Sequence, residues 1–513
     1  MKRQNRQILL PSILFSIIVI LYLFISQPAT AQPQFDWVRN YPITGRAAAI
    51  DSSGYVYFVG TQQSLLGIQT ILKYDSLGNI IWTKEFNVVT GSNYIGIAAY
   101  KSRYFYITYS TQGHSFGLSK FDTSGTLLWT RNISGYYYEP SCITLDTSGN
   151  IYVTGDISYY ALNGFTVKYS PQGDTLWRAI YYPSTNGGSF SPYSISVDNS
   201  NNVYITGGEI LNSMCSYTTI KYDSIGIRKW VSKYFSSFSP TSFSRGYCVK
   251  ADNKGNCYVT GFTTYAIVTS GEKYTPATIK YGPYGDSIWT RLFLLTDTID
   301  FSGANDLALD ENDNIFIPCN YMIKYNKDGD RLWYVNNSFK IKKAIMFEGN
   351  IYGGGGDGLN SDFRLLGYKN SSGGIIFDQR YPSAQPLDVM TSKNSLYAFI
   401  GTNDSAILIK YTTNTSSISG NVNTINDFKL MQNYPNPCNA STNIVYSLRV
   451  KSLITLKIYD ISGKEITTLV NVYKPAGEYK IIFNADNLPS GIYFYSLFAN
   501  NILIDTKKII IVK

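Results

Sequence analysis

Few side chains in this sequence are equipped for chemistry. Histidine occurs once, at His114 in "STQGHSFG", so a Ser-His-Asp relay or a His-metal centre would have to use it. Neither a G-x-S-x-G elbow nor an H-E-x-x-H pair accompanies it, and it reads as a loop histidine. "DENDN" at 310–314 begins like a calcium loop, but its sixth position lacks glycine and its twelfth is Tyr321 rather than an acid. It aligns instead with a turn that recurs along the chain. "GGGGDG" at 353–358 matches G-x-G-x-x-G formally, yet a strand hairpin follows where a dinucleotide site needs a helix. No catalytic, cofactor or metal-ligating residue is therefore assigned, and no cofactor is expected. Carboxylates remain available for a two-acid glycosidase. The tyrosine- and asparagine-rich loops at 134–140, 157–164 and 261–276 carry planar rings beside amides, a combination suited to sugars or a protein partner.

Those loops must be held by a scaffold, and the scaffold is repetitive. "LKYDSLGNIIW" ends at Trp82 and recurs as "SKFDTSGTLLW" at Trp129, "VKYSPQGDTLW" at Trp177 and "IKYDSIGIRKW" at Trp230. Further copies are "IKYGPYGDSIW" at Trp289, "IKYNKDGDRLW" at Trp333 and a decayed "GYKNSSGGIIF" at Phe377. An eighth starts at "LIKY", 408–411, and its missing half lies at the other end, in "FDWVRNY", 35–41. All seven tryptophans, Trp37 included, fall at this one position. Between copies lies a second repeat, clearest as "CITLDTSGNIYVTG" from Cys142, also present eight times.

Each unit thus contains two hairpins. Asp or Asn opening each turn bonds its own backbone, and Gly accepts positive φ. Four strands per unit, repeated radially, define an all-β fold of the β-propeller type with eight four-stranded blades. The eighth takes its outermost strand from 35–41, which closes the ring and removes exposed edges. Trp37, Trp82, Trp129, Trp177, Trp230, Trp289 and Trp333 are expected to pack between neighbouring blades.

The repeat resembles the bacterial β-propeller family often labelled SBBP, whose members usually have seven blades, so seven is the alternative count. The G-x-x-x-W ending is also similar to the docking motif of eight-bladed quinoprotein dehydrogenases. Here, however, the Asp-to-Gly spacing is one residue shorter and the adjacent cysteine pair of those enzymes is absent.

Charge and the N-terminal residues bear on where the chain works. Three of its nine net positive charges come from Lys2, Arg3 and Arg6; the remainder is spread thinly, which excludes a nucleic-acid surface. "MKRQNRQ", an apolar run at 8–25 and the small-x-small site Ala29–Ala31 before Gln32 form an export signal. The run is long enough to remain as an anchor, but Pro11, Ser12, Ser16 and the Ala-x-Ala site favour cleavage after Ala31. The six cysteines sit at apolar repeat positions and read as small buried hydrophobes, with a Cys248–Cys257 bridge as the alternative.

After a polar linker at 412–426, alternating strands separated by Asp/Gly and Pro/Gly turns give a small Ig-like β-sandwich over 427–513. Its landmarks are Asn433-Tyr434-Pro435-Asn436-Pro437, Tyr459-Asp460-x-x-Gly463-Lys464, Ala476-Gly477-x-Tyr479 and Leu488-Pro489-Ser490-Gly491-Ile492-Tyr493. These resemble the type A C-terminal sorting domain of the type IX secretion system, with Cys438 where that family usually has an aromatic. The resemblance implies outer-membrane translocation by the type IX machinery and removal of the domain within the linker. Release, or attachment to surface glycolipid, then follows. The chain accordingly divides into a signal peptide (1–31), a propeller (32–411), the linker (412–426) and the sorting domain (427–513). The expected function is binding of glycan or protein at the cell surface without catalysis; the alternative is a secreted hydrolase or lyase acting on polysaccharide.

Overall fold

The computed structural model describes residues 32–512. It omits 62–67, 88–94, 112–114, 135–136, 159–161, 184–187, 212–213, 237–242, 269–270, 295–302, 357–361, 382–384, 402–404, 414–428, 440, 449–451, 475–476 and 500–501. The signal-peptide residues Ala29 and Ala31, and the loop residue His114, lie outside the described residues; Gln32 is exposed. The chain separates into two compact units, 1–415 and 416–513.

The first unit is all β. Eight four-stranded antiparallel sheets follow one another along the chain, numbered here as blades 1 to 8. They cover 44–87, 95–133, 137–181, 189–234, 244–292, 308–336, 341–381 and, for blade 8, 385–412 with Gln34–Tyr41. Blade 3 is typical: Tyr137–Leu145, Ile151–Ser158, Leu162–Tyr169 and Thr175–Tyr181 lie side by side in chain order, the first innermost. In blade 8 the outermost strand is Gln34–Tyr41, paired antiparallel to Ala406–Thr412, so the two ends of the propeller share one sheet. The innermost strands of blades 8 and 1 also adjoin, which closes the ring at eight blades.

The turn chemistry is local and repeated. Asp146 Oδ1 accepts from the backbone N–H groups of Ser148 and Asn150, both at 2.9 Å. Asp310 Oδ1 does the same for Asn312 and Asn314, and its Oδ2 accepts from the Asn314 and Asn370 side chains and faces Lys324, so the carboxylate of "DENDN" is used by the scaffold. Gly353–Gly355 belong to the second strand of blade 7, Asn350–Gly355, rather than to a phosphate loop.

Packing between blades explains the long repeat. In blade 3, Lys168 and Trp177 are cross-strand partners. Lys168 Nζ, at 3.3 Å, and Trp177 Nε1, at 3.1 Å, both donate to the Ser224 carbonyl in the outer turn of blade 4. The indole ring lies where a Cβ on Gly226 would come within 2.7 Å of it, and Gly226 has φ +85°, so the turn needs glycine for two reasons. The same pair of donors meets the carbonyls of Thr123 (Lys73, Trp82), Pro283 (Lys221, Trp230) and Lys327 (Lys280, Trp289). It recurs at Asn370 (Lys324, Trp333) and, across the ring closure, at Ser76 (Lys410, Trp37). Lys120 alone reaches the Pro171 carbonyl, and the Trp129 indole N–H has no acceptor.

Blade 7 has Gly367 and Phe377 in the lysine and tryptophan positions. The reason is topological: the third and fourth strands of blade 8 come from opposite ends of the propeller, so no turn joins them to receive the two donors. That seam is closed by rings instead, with Phe377 and Tyr411 edge to face at 5.1 Å.

The second unit has two sheets. One orders Lys429–Leu430, Ser441–Leu448 and Gly477–Asn484; the other orders Glu465–Lys474, Ser452–Tyr459, Gly491–Ala499 and Ile502–Ile511. Ile444, Tyr446, Leu456, Ile458, Tyr495 and Leu497 form the centre of the core between them. All six cysteines of the chain are free, and Cys248 and Cys257 face Thr260 and Ala251 across their hairpin rather than each other.

Candidate functional site

The eight innermost strands line the propeller axis, and in six blades they carry a β-bulge at one register. The extra residues are Arg46, Ser141, Tyr193, Tyr247, Lys342 and Leu387. A bulge re-aims one side chain and bends the strand. Here it also accounts for the glycine ending "YVTG" and its relatives. A Cβ on Gly155, Gly207 or Gly261 would lie 2.1, 2.1 or 1.9 Å from a backbone carbonyl of the bulged strand. Pro140 and Pro192, which bring no N–H to the ladder, sit at the bulge itself.

On blades 3 to 5 the bulges gather a polar and aromatic cluster. It lies toward the face bearing the inter-blade loops and the loops between second and third strands. Tyr193 and Tyr247 touch across the seam of blades 4 and 5, centroids 5.4 Å apart. Tyr247 continues to Phe262 at 5.6 Å, and Phe262 to Tyr274 at 5.2 Å, making a ladder of four half-buried rings. Burial raises both Tyr193 and Tyr247 above the ordinary phenol range, so both carry neutral hydroxyls.

Charged groups edge the ladder. Glu139 and Asp156 are direct cross-strand partners in blade 3, so their carboxyls share one face. Burial lifts the Asp156 carboxyl to about 7, against the pull of Ser191 and with a further push from Glu139. Its Oδ1 is buried without a hydrogen-bond partner. Arg245 lays its stem over Gly208, where a Cβ would meet Cγ at 3.0 Å, and its Nε is likewise buried without an acceptor. Tyr193 feels the charge of both Arg245 and Asp156. Arg245, whose guanidinium also bonds Cys215 and Tyr247, and Asp156 thus flank one aromatic shelf, each with a single buried atom left without a partner.

Deeper along the axis the inner strands are stitched together. Ser194 and Ser196 Oγ accept from the N–H groups of Val249 and Ala251 at 3.2 and 3.0 Å. Asp306 accepts from the Ala344 N–H at 3.1 Å and the Cys248 thiol at 3.3 Å. Asp306 and Asp388 hold the Lys343 ammonium above the usual lysine range despite burial. This layer is internally compensated. Among the described residues, no group of three or more His, Cys, Asp or Glu is arranged to hold a metal ion.

The residues singled out from sequence fall elsewhere. The seven tryptophans stand at the outer seams, away from the ladder. In the C-terminal unit the motif asparagines are internal stitches. Asn433 donates to Thr442 Oγ1 at 2.9 Å, and Asn436 accepts from the Ile510 N–H at 2.8 Å and donates to the Lys508 carbonyl at 2.9 Å. Pro435 offers its carbonyl to Thr442, and Cys438 after Pro437 pairs with Ile511. Asp460 Oδ1 caps the turn containing Gly463, φ +83°, by accepting from Lys464 N–H at 3.0 Å. Gly491 opens the strand Gly491–Ala499.

Residues 432–512 match the secretion system C-terminal sorting domain. The protein is therefore exported, to the cell surface or the medium, and its sorting domain engages the type IX secretion machinery. The propeller is similar in fold to the Dos1 propeller, with TM-score 0.50 and 12% identity, covering 74% of this chain and 95% of that one. It is also similar to Chaetomium thermophilum Sqt1, solved bound to the N-terminus of ribosomal protein L10, with TM-score 0.51 and 8% identity over 73% and 99% of the two chains. At such identities the likeness extends to fold alone. No curated protein matches the chain.

The Glu139–Asp156, Tyr193, Arg245 and Tyr247 cluster was not assigned from sequence; of these residues only Glu139 falls in a stretch read there as a loop, and it stands in the strand Tyr137–Leu145. The available signal was the second-strand glycine, which marks where the neighbouring strand presses close.

Proposed function

We propose that the exported propeller is a non-catalytic glycan-binding protein whose ligand lies on the Tyr193–Tyr247–Phe262–Tyr274 ladder. The observation that carries this reading is that ladder of half-buried rings, edged by the half-buried side chains of Arg245 and Asp156. Aromatic faces accept the apolar faces of sugar rings, while Arg245 donates to ring hydroxyls and Glu139 and Asp156 accept from them. The test is calorimetric titration of the protein with neutral and acidic polysaccharides. Tyr247→Ala should weaken binding about tenfold, equivalent to ~1.4 kcal/mol. Binding unchanged by that substitution, or no glycan bound below millimolar concentration, defeats the reading.

One observation favours hydrolysis as a second reading. Asp156 holds its proton near neutrality beside Glu139, the arrangement in which one carboxyl is acid and the other base. Asp156 would give its proton to the glycosidic oxygen as the C–O bond breaks, and Glu139 would take a proton from the water that adds to the sugar. New reducing ends, lost in Asp156→Asn while binding persists, would establish this reading over simple binding.

A further inference from the structure

The sorting domain must be read by its machinery through something exposed, and its motif asparagines are spent on internal bonds. Four strands border its two sheets. Lys429–Leu430 has only two residues. Glu465–Lys474 meets its neighbour with two register irregularities, which blunt an edge. Ile502–Ile511 has one irregularity and is covered at its end by Asn436 and Cys438. Gly477–Asn484 alone is long and regular in register, and among the described residues the backbone groups of Lys480 and Ile482 on its outer side meet no other strand.

The register shows what that edge offers. Tyr434 and Asn443 exchange both backbone bonds at 3.0 Å, so Asn443 turns its N–H and C=O away from Ile482. Asn443 and Ile482 are then a non-hydrogen-bonded pair, and the N–H and C=O of Ile482 point outward. The alternation gives Lys480 the same outward polarity. Tyr434, Asn443 and Ile482 also stand in one row on the solvent face, with Tyr434 80% and Ile482 70% exposed. A domain that blunts its other edges leaves this one open and sets an isoleucine on it.

We propose that Gly477–Asn484 is the docking edge at which the secretion machinery adds an extended segment of its own as a further strand. That segment carries an apolar residue against Ile482 and an acid near Lys480. Main-chain bonds supply affinity, and the Ile482 contact supplies register.

The test follows export of the full chain in a host possessing the type IX system, as the fraction of propeller found outside the cell. Ile482→Pro removes the outward N–H without touching the internal ladder. It is expected to reduce export at least tenfold, with the chain retained in the periplasm and its melting unchanged. Ile482→Thr keeps the strand but removes the apolar contact, and should reduce export about threefold. Ile466→Thr, on the blunted edge, should export normally. If Ile482→Pro prevents folding, the threonine variant decides alone. Normal export of a folded Ile482→Pro or of Ile482→Thr overturns the proposal. So does a dimer of the chain that Ile482→Pro dissolves while export continues, which would assign the edge to a second copy.

Discussion

Replacing Trp177 with phenylalanine and Lys168 with methionine, singly and together, measures what the repeated motif contributes at one seam. Trp177→Phe removes one of two donors to the Ser224 carbonyl. The acceptor stays paired, so that loss costs about 0.5–1.5 kcal/mol. The smaller ring also gives up contact with Tyr222, 6.0 Å away, and Tyr152, 6.2 Å away. That adds about 1 kcal/mol, for a total near 2 kcal/mol. Lys168 is different. Burial lowers its pKa, with Asp146 opposing, so its ammonium is held at some cost. Removing a partly desolvated charge is therefore expected to change stability by no more than about 1 kcal/mol. The double variant leaves the half-buried carbonyl without either donor. Its cost should exceed the sum of the singles by about 1 kcal/mol. Urea unfolding of the full chain, followed by far-ultraviolet circular dichroism at constant m, gives the three values. Additivity within about 0.3 kcal/mol would refute the shared-acceptor account. So would stabilisation by Phe377→Trp, because that position faces a blade with no turn to receive the indole.

Other predictions concern titration and the sorting domain. Burial holds the Asp156 carboxyl at about 7 when folded, against an ordinary 3.8. The folded state thus binds the extra proton between those values, and stability falls as pH rises through that window. Asp156→Asn should stabilise the propeller at pH 8 by on the order of 2–4 kcal/mol and leave pH 3.5 almost unchanged. Equal melting shifts at both pH values would contradict this. Tyr74, Tyr222, Tyr325 and Tyr397 are pushed up to about 12 by burial. They ionise first in the unfolded chain, so each removes about 1.4 kcal/mol of stability per pH unit above pH 10. Urea midpoints that stay level from pH 9 to 11 would exclude it. Asn433→Ala removes the donor to Thr442 and Pro435 in the sorting domain. It should cost about 1–3 kcal/mol there and leave the propeller transition in place, as calorimetry of the full chain can show.

Much of this architecture was legible because it is written in short-range chemistry. An Asp or Asn followed by glycine makes its turn whatever surrounds it, and repetition of two such turns announced four strands per blade and eight blades. The half motif at 35–41 and the truncated "LIKY" likewise foretold the shared eighth sheet. The decayed copy at Phe377 was visible too, but its reason was not. Only the closed ring reveals that the next blade has no turn for Lys and Trp to meet.

The candidate site was far less legible. Glu139, Asp156, Tyr193, Arg245 and Tyr247 come from three blades and share no spacing along the chain. A bulge adds one residue to each of these three inner strands, and that addition is invisible to a period-two pattern until the strand is paired. Three rings of the ladder, Tyr247, Phe262 and Tyr274, belong to blade 5, and Tyr193 joins them only because neighbouring blades converge toward the axis. The sequence by itself determined the blades, their order and the export route, since each depends on contacts within about a dozen residues or on a contiguous terminal domain. Tertiary structure decided where the blades press side chains together, because that depends on distances between residues 50 or more positions apart that no local rule constrains.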